Sequence, residues 1–311
     1  MIFIKQYIIR LKKHLLKYTI TREVLFFLFG KKVYKKKIDK YIKELFDGKK
    51  KLSEETVHGL IVSLTSFPER IDEIKYTIYS LLDQTVSPEK IVLWLAESQF
   101  SNKEKELPKI LLDLQKYNFE INWCEDIKSY KKLIPSIKHY PDYYILTADD
   151  DLYYERKWLQ KIWDEHLRYP DDYICHIAYR IKFNKEGGIL PYCGWKYIKS
   201  SDSSLINFPL SGAGGLHHKN YLSPDITNKE LFLNLCPYAD DIWFYFMLIK
   251  GNTRIRVVRK PSNRVKYVNP YREYNLIDGY KLTTINVDNA QNDEQFKKVM
   301  NYYKIDFRSL S

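Results

Sequence analysis

Paired cysteines are missing from this chain. Cys124, Cys175, Cys193 and Cys236 are scattered, with no C-x-x-C spacing, which speaks against a zinc framework or a disulfide scaffold and for a reducing, cytoplasmic setting. Missing too is any apolar run near the roughly 20 residues that cross a bilayer. The opening Met1-Ile2-Phe3-Ile4 has no long apolar core and no small-residue cleavage site, so a secretory signal is not expected. Beyond about residue 55 there is no internal repeat and no low-complexity linker. The body also lacks a basic stripe. Residues 1–51 hold sixteen Lys or Arg against four acidic residues, and the remainder holds thirty-five of each. The net charge of +12 therefore sits on one terminal segment, and nucleic acid is not an expected partner.

What is present is the material of a folded domain. Hydrophobic residues make up 45% of the 311 and charged residues 29%, and 27 Tyr with 15 Phe can fill a sizeable core. Two parts are expected. Residues 1–55 mix apolar and basic residues at helical spacing, with Ile4, Ile8, Leu11, Leu15 and Leu16 in one stripe among Lys5, Lys12, Lys13 and Lys17. Such a segment suits either the interface of an anionic membrane, peripheral on its inner face, or a helical appendage on the body with solvated lysines.

Residues 56–311 alternate strand-like and helix-like segments, which predicts an α/β domain with a mainly parallel sheet. Strands are expected over 58–64, 90–95, 119–124 and 143–147. Helices are expected over 69–82, with Ser66 as N-cap and Pro68 just inside, and over 103–117, 129–139 and 154–168. The fourth strand runs straight into Asp149-Asp150-Asp151. Ligands of such sheets bind beyond the carboxyl ends of the strands. Two carboxylates one residue apart on extended chain can point the same way, so Asp149 and Asp151 suit Mn²⁺ or Mg²⁺, which fills its shell from phosphates. The competing reading is a solvated loop whose acids cap the next helix.

The strand Tyr143-Tyr144-Ile145-Leu146-Thr147-Ala148 with its acidic triplet resembles the D-x-D element of GT-A-fold glycosyltransferases. More broadly, residues 57–260 resemble bacterial family-2-like enzymes that build capsule, lipopolysaccharide or other surface polysaccharides. The resemblance implies a GT-A (Rossmann-like) sheet flanked by helices. It implies a nucleotide-sugar donor, a UDP-sugar being the expectation, and a saccharide or lipid-linked saccharide acceptor.

Other segments carry the likeness in order. Ile61-Val62-Ser63-Leu64-Thr65-Ser66-Phe67-Pro68-Glu69-Arg70 matches the nucleotide-holding loop, making Ser63, Thr65 and Arg70 donor-site candidates. Trp123-Cys124-Glu125-Asp126-Ile127-Lys128-Ser129-Tyr130-Lys131-Lys132 matches more loosely and implies that Asp126 reads a base while Lys128 and Lys132 face phosphates. In Leu210-Ser211-Gly212-Ala213-Gly214-Gly215-Leu216-His217-His218, Gly214 and Gly215 line the sugar pocket by this likeness, and His217 or His218, the latter preferred, offers a third metal ligand. Ala239-Asp240-Asp241-Ile242 resembles the motif that supplies the base of inverting enzymes, with Asp241 as base and Asp240 as neighbour and fallback. The family commonly has Glu-Asp there, so the division of labour between the two is open. Trp195 is a candidate for stacking on a sugar or for the core. A retaining mechanism, a metal-dependent nucleotidyltransferase and a non-enzymatic membrane-associated carbohydrate-binding protein stand as alternatives.

Overall fold

The computed structural model describes residues 35–198, 200–259, 266–269 and 291–310. It begins with helix α1 (Lys35–Phe46) and then enters a Rossmann-like alternation: β1 (Thr56–Thr65), α2 (Ile74–Leu82), β2 (Ser87–Ala96), α3 (Lys109–Asp113), β3 (Phe119–Cys124), α4 (Ile134–His139) and β4 (Tyr144–Thr147). A short strand β5 (Leu152–Tyr153) and helix α5 (Trp158–Arg168) lead to β6 (Tyr173–Cys175), β7 (Ala178–Arg180), β8 (Lys196–Tyr197), β9 (Ser203–Ser204), β10 (Asn207–Pro209) and β11 (Gly215–His217). The chain continues through α6 (Lys229–Leu235), α7 (Asp240–Lys250), β12 (Ile255–Val257), β13 (Lys266–Tyr267) and α8 (Gln291–Tyr303).

Eight strands form one sheet in the order β3-β2-β1-β4-β11-β6-β12-β9. All run parallel except β11 and β9. This is the expected GT-A arrangement. The strands alternate apolar side chains between two faces. Leu60, Val62 and Leu64 of β1 pack with α2 and α5 on one side, while Ile61, with Val92 and Trp94 of β2, meets α4 and α7 on the other. Helices on both faces explain why β1 and β2 read as continuous hydrophobic runs. The order steps outward from β1 to β2 to β3 and then returns to the far side of β1 with β4. The switch point therefore lies at the carboxyl ends of β1 and β4, where Ser63 pairs with Thr147.

Several helices are shorter than their periodicity predicts. The expected helix over 103–117 divides into single turns around α3, because Pro108 stands directly ahead of that helix. Residues 69–82 give a 3-10 turn at Pro68–Arg70 before α2, and Ser66 does not cap it. Phe67 holds the cap position, and the Ser66 hydroxyl instead donates to Asp150 Oδ2 at 2.6 Å. The helix over 129–139 splits into a 3-10 turn (Lys128–Lys132) and α4, whose second residue is Pro135.

Most of the N-terminal segment expected to be amphipathic, residues 1–34, lies outside the described residues. The described remainder, α1, buries Ile38, Ile42 and Leu45, and the first two pack on Tyr76 and Tyr79 of α2 and on Val268. Its lysines are partly paired, Lys35 with Glu73 and Lys40 with Glu44 at 3.6 Å, and beyond the helix Lys50 pairs with Asp83 at 3.2 Å. Among the described residues no helix is long and apolar enough to cross a membrane. The four cysteines are free thiols.

Candidate active site

A cleft of about 850 Å³ opens at the switch point and gathers segments far apart in sequence. The loop after β1 contributes Thr65 and Arg70, and the turn after β3 contributes Asp126, Lys128 and Lys132. The triplet contributes all three acids, the segment before β11 contributes Gly212, and the start of α7 contributes Asp240 and Asp241.

The triplet is divided in its tasks. Asp149 keeps 41% of its side chain exposed and pairs with Lys132 at 2.9 Å. Asp150 is buried and serves the loop. It accepts from Ser66 and from Arg70 Nη1, both at 2.6 Å, while its carbonyl accepts from Thr77. Asp151 is part-exposed and accepts from the same Arg70 nitrogen at 2.9 Å. Burial alone opposes the Arg70 charge, but Asp150 and Asp151 more than offset it and raise the guanidinium's pKa. The chain turns at Asp150 and Asp151, which share one Arg70 nitrogen, while Asp149 ahead of the turn is directed to Lys132.

The backbone here is fixed from behind. The Tyr154 hydroxyl accepts from the Asp149 amide at 2.7 Å and donates to the Gly212 carbonyl at 2.6 Å. The Trp158 indole donates to the Ala213 carbonyl at 2.8 Å. At Gly212 a β-carbon would fall on the Asp149 carboxylate, so any other residue there would turn that side chain from its present direction.

Lys132 joins the halves of the site. It is buried, and its ammonium lies 2.9 Å from Asp149 and 2.8 Å from Asp240. Burial disfavours its charge, yet Asp149, Asp240 and Asp241 together hold its pKa well above the usual lysine value. Asp241 stands in the first turn of α7 and accepts from the Ser211 amide at 2.9 Å. Its carboxyl is pushed up to about 7, first by burial and then by the Asp240 carboxylate, with Lys132 pulling the other way. A half-protonated carboxyl near neutral pH is what general base chemistry needs.

Four sequence-stated candidates stand elsewhere. Ser63 is fully buried within β1 and shares a hydrogen bond of 2.7 Å with Ser136 of α4, because it points to the α4 face of the sheet. Gly214 and Gly215 do not line the cleft. Gly214, at φ 121°, lies against the Trp158 and His176 rings, and Gly215 lies against the Tyr173 hydroxyl. His218 is not placed to be a third metal ligand. Strand β11 runs antiparallel to β4 with His217 opposite Ile145, which carries His218 to the start of β4, away from the triplet at its other end. Its ring packs on Tyr144 at 4.6 Å. His217 is buried between Tyr173 and Thr147, and burial drives its pKa down to about 3. Trp195 is a core residue, packed on Phe208 and Phe296 at 5.2 Å with its indole donating to Leu190.

A hard divalent cation would find two carboxylates here, each already paired with a protein cation, Asp149 with Lys132 and Asp151 with Arg70. Asp149 and Asp151 are oxygen donors open to the cleft, and among the described residues no His, Cys, Asp or Glu completes a set of three. A cation held there takes the rest of its shell from water and ligand phosphate, which is how Mg²⁺ and its like are commonly bound. Sequence reasoning missed Lys131, Tyr154 and the aromatic residues Tyr179, Tyr192, Tyr197 and Tyr238. An isolated tyrosine in a sequence with 27 of them carries no signal of its own.

Neither a family model nor a curated protein sequence matches the chain. Among solved structures it is similar to TarS of S. aureus, residues 1–349, with 12% identity, 79% of this chain and 71% of that chain covered, and a TM-score of 0.42. It is also similar to a CMP:2-keto-3-deoxy-manno-octonic acid synthetase complexed with CTP, with 8% identity, 66% and 89% covered, and a TM-score of 0.36.

Proposed function

We propose that the protein is a glycosyltransferase that moves a sugar from a nucleotide-sugar to a saccharide or lipid-linked saccharide hydroxyl, with inversion. The observation that carries this reading is one cleft holding three things together: a cationic wall, cleft-facing Asp149 and Asp151, and the raised carboxyl of Asp241. Lys128 and Lys131 line the cationic wall and suit a donor diphosphate, with Arg70 and Lys132 behind the carboxylates. Asp126, anchored by Lys131 at 2.6 Å and by Gln99 at 3.1 Å, is positioned to accept from a base N–H.

Asp149 and Asp151 would hold the Mn²⁺ or Mg²⁺ ion. When bound, it supplies charge stabilisation to the departing diphosphate. Asp241 takes the acceptor hydroxyl proton as the oxygen forms its bond to the anomeric carbon and the bond from that carbon to the diphosphate oxygen breaks. Attack from the far face inverts the centre, through an oxocarbenium-like transition state. Lys132 keeps Asp240 and Asp149 neutralised on either side of this step. The basic excess of residues 1–51 suits work at an anionic membrane surface, which liposome co-sedimentation of the full chain and of a chain lacking 1–34 would test.

The central test is a thermal-shift panel of UDP-, GDP- and dTDP-sugars with and without Mn²⁺. One donor should raise Tm in a metal-dependent way, by about 2.7 kcal/mol of stabilisation at a hundredfold excess over Kd, and Asp151→Ala should abolish the metal dependence. If no donor shifts Tm with metal, or if Asp151→Ala turns over as wild type does, this reading is wrong.

A further inference from the structure

The cleft has two unlike halves. One is lined by Arg70, Lys128, Lys131 and Lys132 among carboxylates. The other is lined by Tyr179, Tyr192, Tyr197 and Phe208, with Tyr238 at the border between the halves, its ring 4.1 Å from the Lys128 ammonium. Its rings pack tilted or edge to face, Tyr179 at 6.1 Å from both Tyr192 and Tyr197, and Tyr192 at 5.8 Å from Phe208. The Tyr197 hydroxyl is buried and has no hydrogen-bond partner among the described residues, which is costly unless a ligand supplies one. Aromatic faces beside a few hydroxyl and amide groups suit a pyranose ring, which is apolar on one face and polar at its rim.

This half is held in place from outside. Helix α8 comes from the far end of the chain, and its first turn lies on the cleft, with Asn292 in the lining. There Asp293 Oδ1 accepts from the Tyr192 amide and Gln295 Oε1 accepts from the Tyr238 amide, both at 2.8 Å. Gln295 is buried and donates back to the Gln291 carbonyl at 3.1 Å. Phe296, one residue on, is packed against Trp195 at 5.2 Å and Phe246 at 4.9 Å, so the turn cannot shift without disturbing the core. Two loops more than forty residues apart are thereby fixed by side chains two residues apart.

We propose that the aromatic half is the acceptor saccharide subsite, that Tyr192 and Tyr238 are its flanking rings, and that Asp293 and Gln295 are the positioning residues that hold them. The subsite rests on the glycosyltransferase reading, since it assigns the uncharged half to the acceptor and the cationic half to the donor. Asp241, at the seam, then meets a hydroxyl of the ring bound there.

Saturation-transfer NMR on the full chain tests this with UDP and a panel of methyl pyranosides as separate probes. Wild type should show contact to both UDP and at least one pyranoside. Tyr192→Ala and Asp293→Ala should weaken the pyranoside about tenfold, as loss of an aromatic contact implies, with UDP unchanged. Tyr192→Phe, which keeps the ring, and Asp293→Asn, which keeps Oδ1 as acceptor, should bind like wild type; a merely structural role would not sort the variants this way. The UDP signal in each variant reports that the cleft has folded. UDP contact without any pyranoside contact overturns the subsite and leaves the glycosyltransferase reading standing, as does undiminished pyranoside binding by both alanine variants. Absence of contact in wild type to UDP, and to GDP and dTDP probed in the same way, overturns both.

Discussion

Lys132 and Asp240 form an ion pair of 2.8 Å in which both side chains are almost wholly withdrawn from solvent. Asp240 opens α7, and Lys132 closes the turn after β3, so the pair ties the donor side of the cleft to the side that carries the base. Removing the cation leaves Asp149, Asp240 and Asp241 facing one another without a counter-charge. Lys132→Met should therefore cost about 3–5 kcal/mol of stability, as breaking one side of a buried pair does. Urea unfolding would measure it, and a loss below about 1 kcal/mol would show that the pair is not isolated from water as described.

The same lysine bears on pH dependence. Asp241 acts as a base only when ionised, and its pKa stands at about 7, so turnover should rise with pH through that value and level off above it. Because Lys132 lowers this pKa, its loss should move the acid limb upward in any Lys132→Met enzyme that retains turnover. Asp241→Asn should reduce kcat by on the order of 10²–10⁴ with donor binding kept. A pH profile that keeps its limb in Asp241→Asn would assign the base elsewhere.

At Gly212 the constraint is steric. Gly212→Ala places a methyl group where the Asp149 carboxylate lies, so that part-exposed side chain must rotate away. A stability loss of about 1 kcal/mol or less is expected, since only a side-chain end is displaced, together with a smaller Mn²⁺-dependent donor shift in Tm. Gly194→Ala is the control: that position meets only Leu190, and the change should leave the donor shift intact.

Three buried histidines set the acid limit of the fold. Burial lowers His166 and His176 to about 4 and His217 to about 3. The folded state keeps them neutral, while the unfolded chain protonates them near pH 6.5. Their stabilising contribution is complete above that pH and is lost as pH falls from there toward 4. The slope approaches about 1.4 kcal/mol per pH unit for each histidine. Stability measured by denaturant between pH 7 and 4.5 should decline, and His176→Gln should flatten the decline.

The fold was legible wherever local pattern and tertiary environment agree. Strands β1 to β4 announce themselves as apolar runs because both faces of the sheet are covered, and the triplet is visible because three adjacent acids have few other reasons to follow a buried strand. Asp241 and Lys132 could be named from their segments, but not the ion pairs of Lys132 with Asp149 and Asp240, since those depend on how segments distant in sequence meet. Ser63, Gly214, Gly215 and His218 were misplaced for one shared reason. Each lies within or beside a strand, and a single step along a strand exchanges the cleft side for the core side or moves a residue toward the wrong end of the sheet. The aromatic half of the cleft was invisible because its rings come from four separate segments and acquire their meaning only from α8.

Tyr154 has a mechanical consequence. One hydroxyl holds the Asp149 amide and the Gly212 carbonyl, and the adjoining Ser211 amide holds Asp241. The two functional acids thus hang from a single short truss rather than from two independent walls. Any motion passed through the Tyr154 hydroxyl reaches the segments of both acids. The interval between the two acids is thus set by main-chain contacts around one hydroxyl.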